Sequence, residues 1–126
     1  MGMTDPCQRH QTVLVVEDEG LVRLDAVETL RCAGFVVVEA NDAAAALDIV
    51  ARRDDIGLLF TDIKMPGSMD GIELAKSIHR SHPSIELILT SGTEKPTPGE
   101  IPDSGIFLAK PYSPEAMTSL VSRKLA

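Results

Sequence analysis

The chain has 126 residues, 44% of them hydrophobic and 25% charged, with a net charge of −7, two cysteines, one tyrosine and no tryptophan. That length suits one domain that can bury a core without disulfides or structural metals, and the acidic balance argues against nucleic acid or anionic membrane as partners. The basic pairs Arg52-Arg53 and Arg123-Lys124 read as solvated helix ends, Cys7 and Cys32 have no CxxC or disulfide spacing, and no apolar run approaches the roughly 18 to 20 residues of a membrane span. A soluble, cytoplasmic protein is expected.

Residues 1–11 read as a polar leader and 12–126 as the folded domain. Short apolar runs then alternate with segments of helical period. The first run is Val13 to Val16. A helix is expected from Glu19 to Ala33, with Leu24, Val27 and Leu30 near helical spacing and Gly34 stopping it. Phe35 to Val38 is the second run. Asn41 and Asp42 each offer an N-cap for a helix from Ala43 to Arg52, with Leu47 and Val50 on one face. Gly57 to Thr61 is the third run. Asp70 caps a helix through Ile72, Leu74, Ala75 and Ile78 that ends near Pro83. Ile85 to Thr90 and Gly105 to Ala109 are the fourth and fifth runs, and Ser113-Pro114 opens a last helix with Met117, Leu120 and Val121.

The runs are continuous in apolar residues rather than alternating, the pattern of parallel strands covered by helices on both faces. With regular βα alternation this predicts a doubly wound, five-stranded parallel sheet. Pro96, Pro98 and Pro102 interrupt residues 93–104, where a fourth full helix gives way to a loop with at most one short turn.

In such sheets the functional site lies at the carboxyl ends of the strands. There the sequence places Glu17 and Asp18, Asp62, Thr90-Ser91-Gly92 and Lys110-Pro111. Three carboxylates on one edge repel one another and call for a cation, and all-oxygen ligands favour Mg²⁺, Mn²⁺ or Ca²⁺ over zinc. Phosphoryl transfer to a carboxylate needs an in-line oxygen and positive charge at the equatorial oxygens. Asp62 offers the oxygen, Mg²⁺ and Lys110 the charge, and Ser91 a hydroxyl able to meet the phosphoryl group. Pro66 and Gly67 set Asp62 before a stiff turn. His10, His79 and His82 are scattered and form no site, and Met65 reads as packing.

Val13-Leu-Val-Val-Glu-Asp-Glu19, Thr61-Asp-Ile-Lys-Met-Pro66, Met69-Asp-Gly71, Thr90-Ser-Gly92 and Lys110-Pro-Tyr112 together resemble the receiver domains of two-component response regulators. The resemblance spans about residues 12 to 125. It implies a flavodoxin-like sheet in the order 2-1-3-4-5 and phosphotransfer from a sensor histidine kinase or histidine phosphotransfer protein, with Mg²⁺ required. By position it makes Asp62 the phosphoacceptor, Asp18 a direct metal ligand, Glu17 its neighbour acting through water, the backbone carbonyl of Lys64 a further ligand, and Lys110 the phosphate-binding lysine. Ser91, with Thr90 as the alternative, takes the switch hydroxyl position, Phe107 the switch aromatic position, and the peptide before Pro111 is often cis. The chain departs from the pattern in having Glu17 where Asp is common, a longer turn after Pro66, and the proline-rich segment in place of the fourth helix.

The function expected is a stand-alone response regulator, monomeric or weakly dimeric, that signals to a protein partner or passes its phosphoryl group onward. The alternatives are a receiver-like binding module that works without phosphate, and an aspartate-nucleophile phosphatase. Lys64 stands where such phosphatases usually carry a second acid, two residues after the nucleophile.

Overall fold

In a computed structural model of the chain, residues 11–93, 95–102 and 105–126 are described. The polar leader, with Cys7 and His10, falls almost wholly outside them. Five parallel strands, β1 (Thr12–Val16), β2 (Val37–Ala40), β3 (Ile56–Asp62), β4 (Glu86–Ser91) and β5 (Ile106–Ala109), form one sheet in the order β2-β1-β3-β4-β5. The connecting helices are α1 (Gly20–Cys32), α2 (Ala43–Arg52) and α3 (Gly71–Ser81), and α4 (Pro114–Leu125) follows β5. The parallel sheet and its expected order are both observed. No helix among the described residues is long and apolar enough to cross a membrane.

Strand alternation explains why β1 and β3 read as unbroken apolar runs. Leu14, Val16 and Leu59 join α2 and α3 in one cluster, with Ala46, Val50, Leu74 and Ile78. Val13, Val15 and Phe60 join α1 and α4 in the other, with Val27, Leu30, Met117 and Val121. Both faces of the central strands are therefore dry. The edge strands differ. Glu39 of β2 is exposed, and Ile106, Phe107 and Leu108 of β5 are only half-buried.

Local chemistry sets the helix starts. Asp42, not Asn41, caps α2 by accepting from the Ala45 N–H at 2.8 Å. Asp70 and Glu73 form a reciprocal capping box at the start of α3, at 2.9 and 3.2 Å. Ser113 caps α4, accepting from the Ala116 N–H at 3.0 Å.

Three expectations need correction. Strand β2 begins at Val37 rather than Phe35, because the chain is still leaving α1: the Phe35 N–H bonds back to the Leu30 carbonyl at 3.1 Å. The buried face of α1 is Ala26, Val27 and Leu30, while Leu24 faces solvent. The basic pairs are not simply solvated, since Arg53 pairs with Asp55 at 2.7 Å and Lys124 with Glu86 at 2.9 Å.

Between β4 and β5 the helical structure among the described residues is one 3-10 turn, Pro98–Glu100. Its neighbour Ile101 packs onto the α2/α3 cluster. The fit depends on Gly105, where a Cβ would stand 2.5 Å from the Ile101 Cγ2. Phe107 of β5 packs on the same cluster and is only half-buried.

Candidate functional site

Strand order reverses between β1 and β3, and the ends of these two strands carry Glu17-Asp18 and Asp62. One carboxylate oxygen from each of Glu17, Asp18 and Asp62 lies within 4.8 Å of the others. They face an open cleft of about 570 Å³ that is also lined by Lys64, Ser91 and Lys110. The expected strand-end residues are therefore brought together.

Each is held by backbone. The Glu17 N–H bonds to the Ala40 carbonyl of β2 at 3.1 Å, and the Ile63 N–H to the Thr90 carbonyl at 2.9 Å. The Lys110 N–H bonds to the Ser91 carbonyl at 3.0 Å, next to a cis Lys110–Pro111 peptide. The Lys110 Nζ donates to Glu17 Oε1 at 3.0 Å and stands 3.6 Å from Asp62 Oδ2. Asp18 is exposed, whereas Glu17 and Asp62 are buried.

Burial raises the pKa of both Glu17 and Asp62. Lys110 offsets only part of this, and carboxylate neighbours add to it: Asp62 for Glu17, and Asp18 for Asp62. Burial would lower Lys110, but Glu17 and Asp62 together hold its ammonium above the ordinary lysine value. Two buried carboxylates, Glu17 and Asp62, share one ammonium, and a third, Asp18, stands at the rim. An oxygen-seeking divalent cation fits this donor set.

Because Asp62 binds its proton more tightly in the folded chain than in the unfolded one, its ionisation opposes folding. The penalty is full above the raised folded value and absent below the ordinary 3.8. Metal-free Asp62→Asn is accordingly expected to gain about 1 kcal/mol over wild type at neutral pH, the usual scale for relieving a strained functional site. The gain should shrink as pH falls through the Asp62 value. Thermal unfolding in chelator across pH 4 to 8 measures it, and a less stable Asn variant at pH 7 would contradict the electrostatic account.

Ser91 and Thr90 separate cleanly. Leu87 and Leu89 face the α2/α3 side and Ile88 the α1/α4 side, so alternation puts Ser91 with Leu89 and Thr90 with Ile88. Ser91 lines the cleft, and its Oγ accepts from the Thr93 N–H at 3.2 Å. Thr90 is turned away and buried, and among the described residues its Oγ1 finds no partner. Thr90→Val keeps the shape and removes that hydroxyl, so a stabilisation of about 1 kcal/mol is expected. A urea midpoint that stays put or falls would show that the hydroxyl is satisfied. Phe107 pairs in register with Leu89 and packs on the α2/α3 cluster, on the same side as Ser91.

Arg23 was not singled out in the sequence, and Tyr112 and Gly71 stood in its motifs without a role. Arg23 of α1 donates to the Glu17 carbonyl at 2.8 Å and to Glu39 Oε1 at 2.9 Å, and nothing in the sequence marks it. Tyr112 sets its ring edge-on to Phe60, with centroids 5.9 Å apart, and its hydroxyl is pushed up to about 12 by burial and by Glu17, Asp25 and Asp62. Gly71 lies against the Asp62 backbone, its N–H bonded to the Ile63 carbonyl at 2.8 Å. Its place behind the capping residue Asp70 was the available signal.

A doubly wound parallel sheet in the order β2-β1-β3-β4-β5, with an acidic cleft and a lysine at its switch point, is of the flavodoxin-like type. The response regulator receiver domain model matches residues 13–122, and the chain belongs to that family. It is 34% identical over 118 residues to the sensor kinase CckA of Brucella abortus, covering 90% of this chain and 12% of the kinase. It is 35% identical over 104 residues to the transcriptional regulatory protein PdtaR of Mycobacterium tuberculosis, covering 80% of this chain and 50% of that protein. The chain thus spans half or less of these relatives. Among solved structures, the receiver domain of the hybrid histidine kinase CckA aligns with TM-score 0.78 at 33% identity, covering 91% of this chain and 99% of that one. Receivers are signalling modules of two-component systems that bind Mg²⁺ at an acidic pocket and interact with histidine kinases or phosphotransfer proteins. The chain shares that fold and that kind of pocket.

Proposed function

We propose that residues 12–126 form a receiver in which Asp62 accepts a phosphoryl group from the phosphohistidine of a sensor kinase or a phosphotransfer protein. The observation that carries this reading is the meeting of Asp62 with Glu17, Asp18 and Lys110 at the switch point. Glu17, Asp18, Asp62 and the backbone carbonyl of Lys64 are the groups that would hold Mg²⁺. When bound, Mg²⁺ supplies positive charge to the equatorial phosphoryl oxygens.

One Asp62 oxygen attacks phosphorus. The bond from phosphorus to the donor nitrogen breaks, its electron pair stays on the imidazole, and an acyl phosphate remains on Asp62. Lys110 neutralises a second phosphoryl oxygen, and Ser91 donates its hydroxyl to a third. Phe107, half-exposed beside Ser91, is the side chain whose packing would change with that hydrogen bond.

The test is Mg²⁺-dependent labelling with radioactive acetyl phosphate. Wild type takes up label and Asp62→Asn does not. Equal labelling of the two, or none in wild type, would overturn the assignment.

A further inference from the structure

Lys110 has two carboxylates within reach, and they are not equivalent. Glu17 Oε1 lies at 3.0 Å, within hydrogen-bonding distance, and Asp62 Oδ2 lies beyond it at 3.6 Å. Glu17 is also the better anchored partner. Its Oε2 accepts from the Glu19 N–H at 3.2 Å, and its carbonyl accepts from Arg23 at 2.8 Å. An aspartate on the same backbone would stop short by about one bond length, ~1.5 Å, and lose the direct contact. The longer side chain at position 17 therefore decides where the ammonium rests.

That resting place overlaps the acidic cluster. Glu17, Asp18 and Asp62 converge within 4.8 Å, so a divalent cation among them and the Lys110 ammonium at 3.0 Å compete for the Glu17 carboxylate. Building on the reading that this cleft takes Mg²⁺, we infer that Glu17 parks Lys110 in the metal-free domain and releases it towards Asp62 when a divalent cation engages the Glu17 carboxylate. Lys110 is then free for an incoming phosphoryl group only once the metal is in place. By linkage, removing the lysine must tighten metal binding, and the larger part of that gain must come through Glu17.

Two measurements test this, with circular dichroism confirming that each variant is folded. The first is ¹⁵N NMR of the lysine ammonium groups in chelator. The chain has five lysines, and the Lys110 signal is the one absent from Lys110→Met. A protected Lys110 ammonium signal should persist in wild type and Asp62→Asn and disappear in Glu17→Asp. Persistence in Glu17→Asp, or loss in Asp62→Asn, overturns the assignment of the resting partner.

The second is Mg²⁺ titration followed by the fluorescence of Tyr112, the one tyrosine of a chain without tryptophan. Its hydroxyl feels the charges of Glu17 and Asp62. Lys110→Met should raise Mg²⁺ affinity about tenfold in the wild-type background and no more than about twofold in Glu17→Asp. Equal gains in both backgrounds overturn the linkage while Mg²⁺ binding itself stands. No Mg²⁺ response in any variant overturns the reading of the cleft and the linkage with it.

Discussion

Gly71→Ala is expected to destabilise the domain by about 3 kcal/mol and to disable the acidic cleft at the same time. A Cβ at Gly71 would stand 2.8 Å from both the Asp62 carbonyl carbon and the Ile63 Cα, and closer still to the Asp62 carbonyl oxygen. The obstacle is backbone, which has no rotamer through which to escape. Overpacking of this kind typically costs about 1–3 kcal/mol. Relief requires α3 to move away from β3. That motion stretches the 2.8 Å bond from the Gly71 N–H to the Ile63 carbonyl and disturbs the Asp70–Glu73 capping box, a loss of about 1 kcal/mol more. If β3 moves instead, Asp62 leaves its place beside Glu17 and Asp18.

Urea unfolding measures the first effect and Mg²⁺ affinity the second. Gly20→Ala is the control. It lies at the start of α1 with nothing within 4 Å of its added Cβ, and it should be neutral or slightly stabilising. Equal midpoints for Gly71→Ala and wild type would overturn the account of close packing between α3 and the Asp62 backbone.

Gly71 shows where legibility in the sequence stopped. The sheet and its helices could be read because continuous apolar runs such as Val13–Val16 have few other uses, and because capping residues announce helix starts. Strand ends then located Glu17, Asp18, Asp62, Ser91 and Lys110 on one edge. Side-chain direction at a strand end was harder. The sequence favoured Ser91 and kept Thr90 as the alternative, and the sides on which Leu89 and Ile88 pack then separated the two. Contacts between distant residues were not legible at all. Arg23 reaches the Glu17 carbonyl from α1, and Tyr112 meets Phe60 across the sheet edge, through geometry that no local pattern encodes. Leu24 misled for a related reason, since helical spacing names a stripe of residues but not which stripe the sheet will cover.

Lys110→Met should slow both the gain and the loss of the Asp62 phosphoryl group, each by about 100-fold, the scale of removing one preorganised charge from a developing transition state. The two directions discriminate between roles for the lysine. A group that stabilises the in-line transition state speeds attack on phosphorus by Asp62 and attack by water alike. A group that only shelters the finished acyl phosphate would slow its loss, and its removal would make loss faster. The 3.6 Å separation of Nζ from Asp62 Oδ2 keeps the ammonium close to the carboxylate that the proposed transfer uses, which favours the first role. Methionine keeps an unbranched, flexible stem and lacks only the terminal ammonium position, so the substitution removes charge with little change in packing. It also leaves Glu17 and Asp62 without their ammonium, and the rates must be measured at saturating Mg²⁺ so that altered metal occupancy does not enter them. Initial labelling rates from acetyl phosphate give one constant, and decay of pulse-labelled protein after donor removal gives the other. A labelled variant that decays faster than wild type would assign Lys110 to protection of the acyl phosphate rather than to its formation.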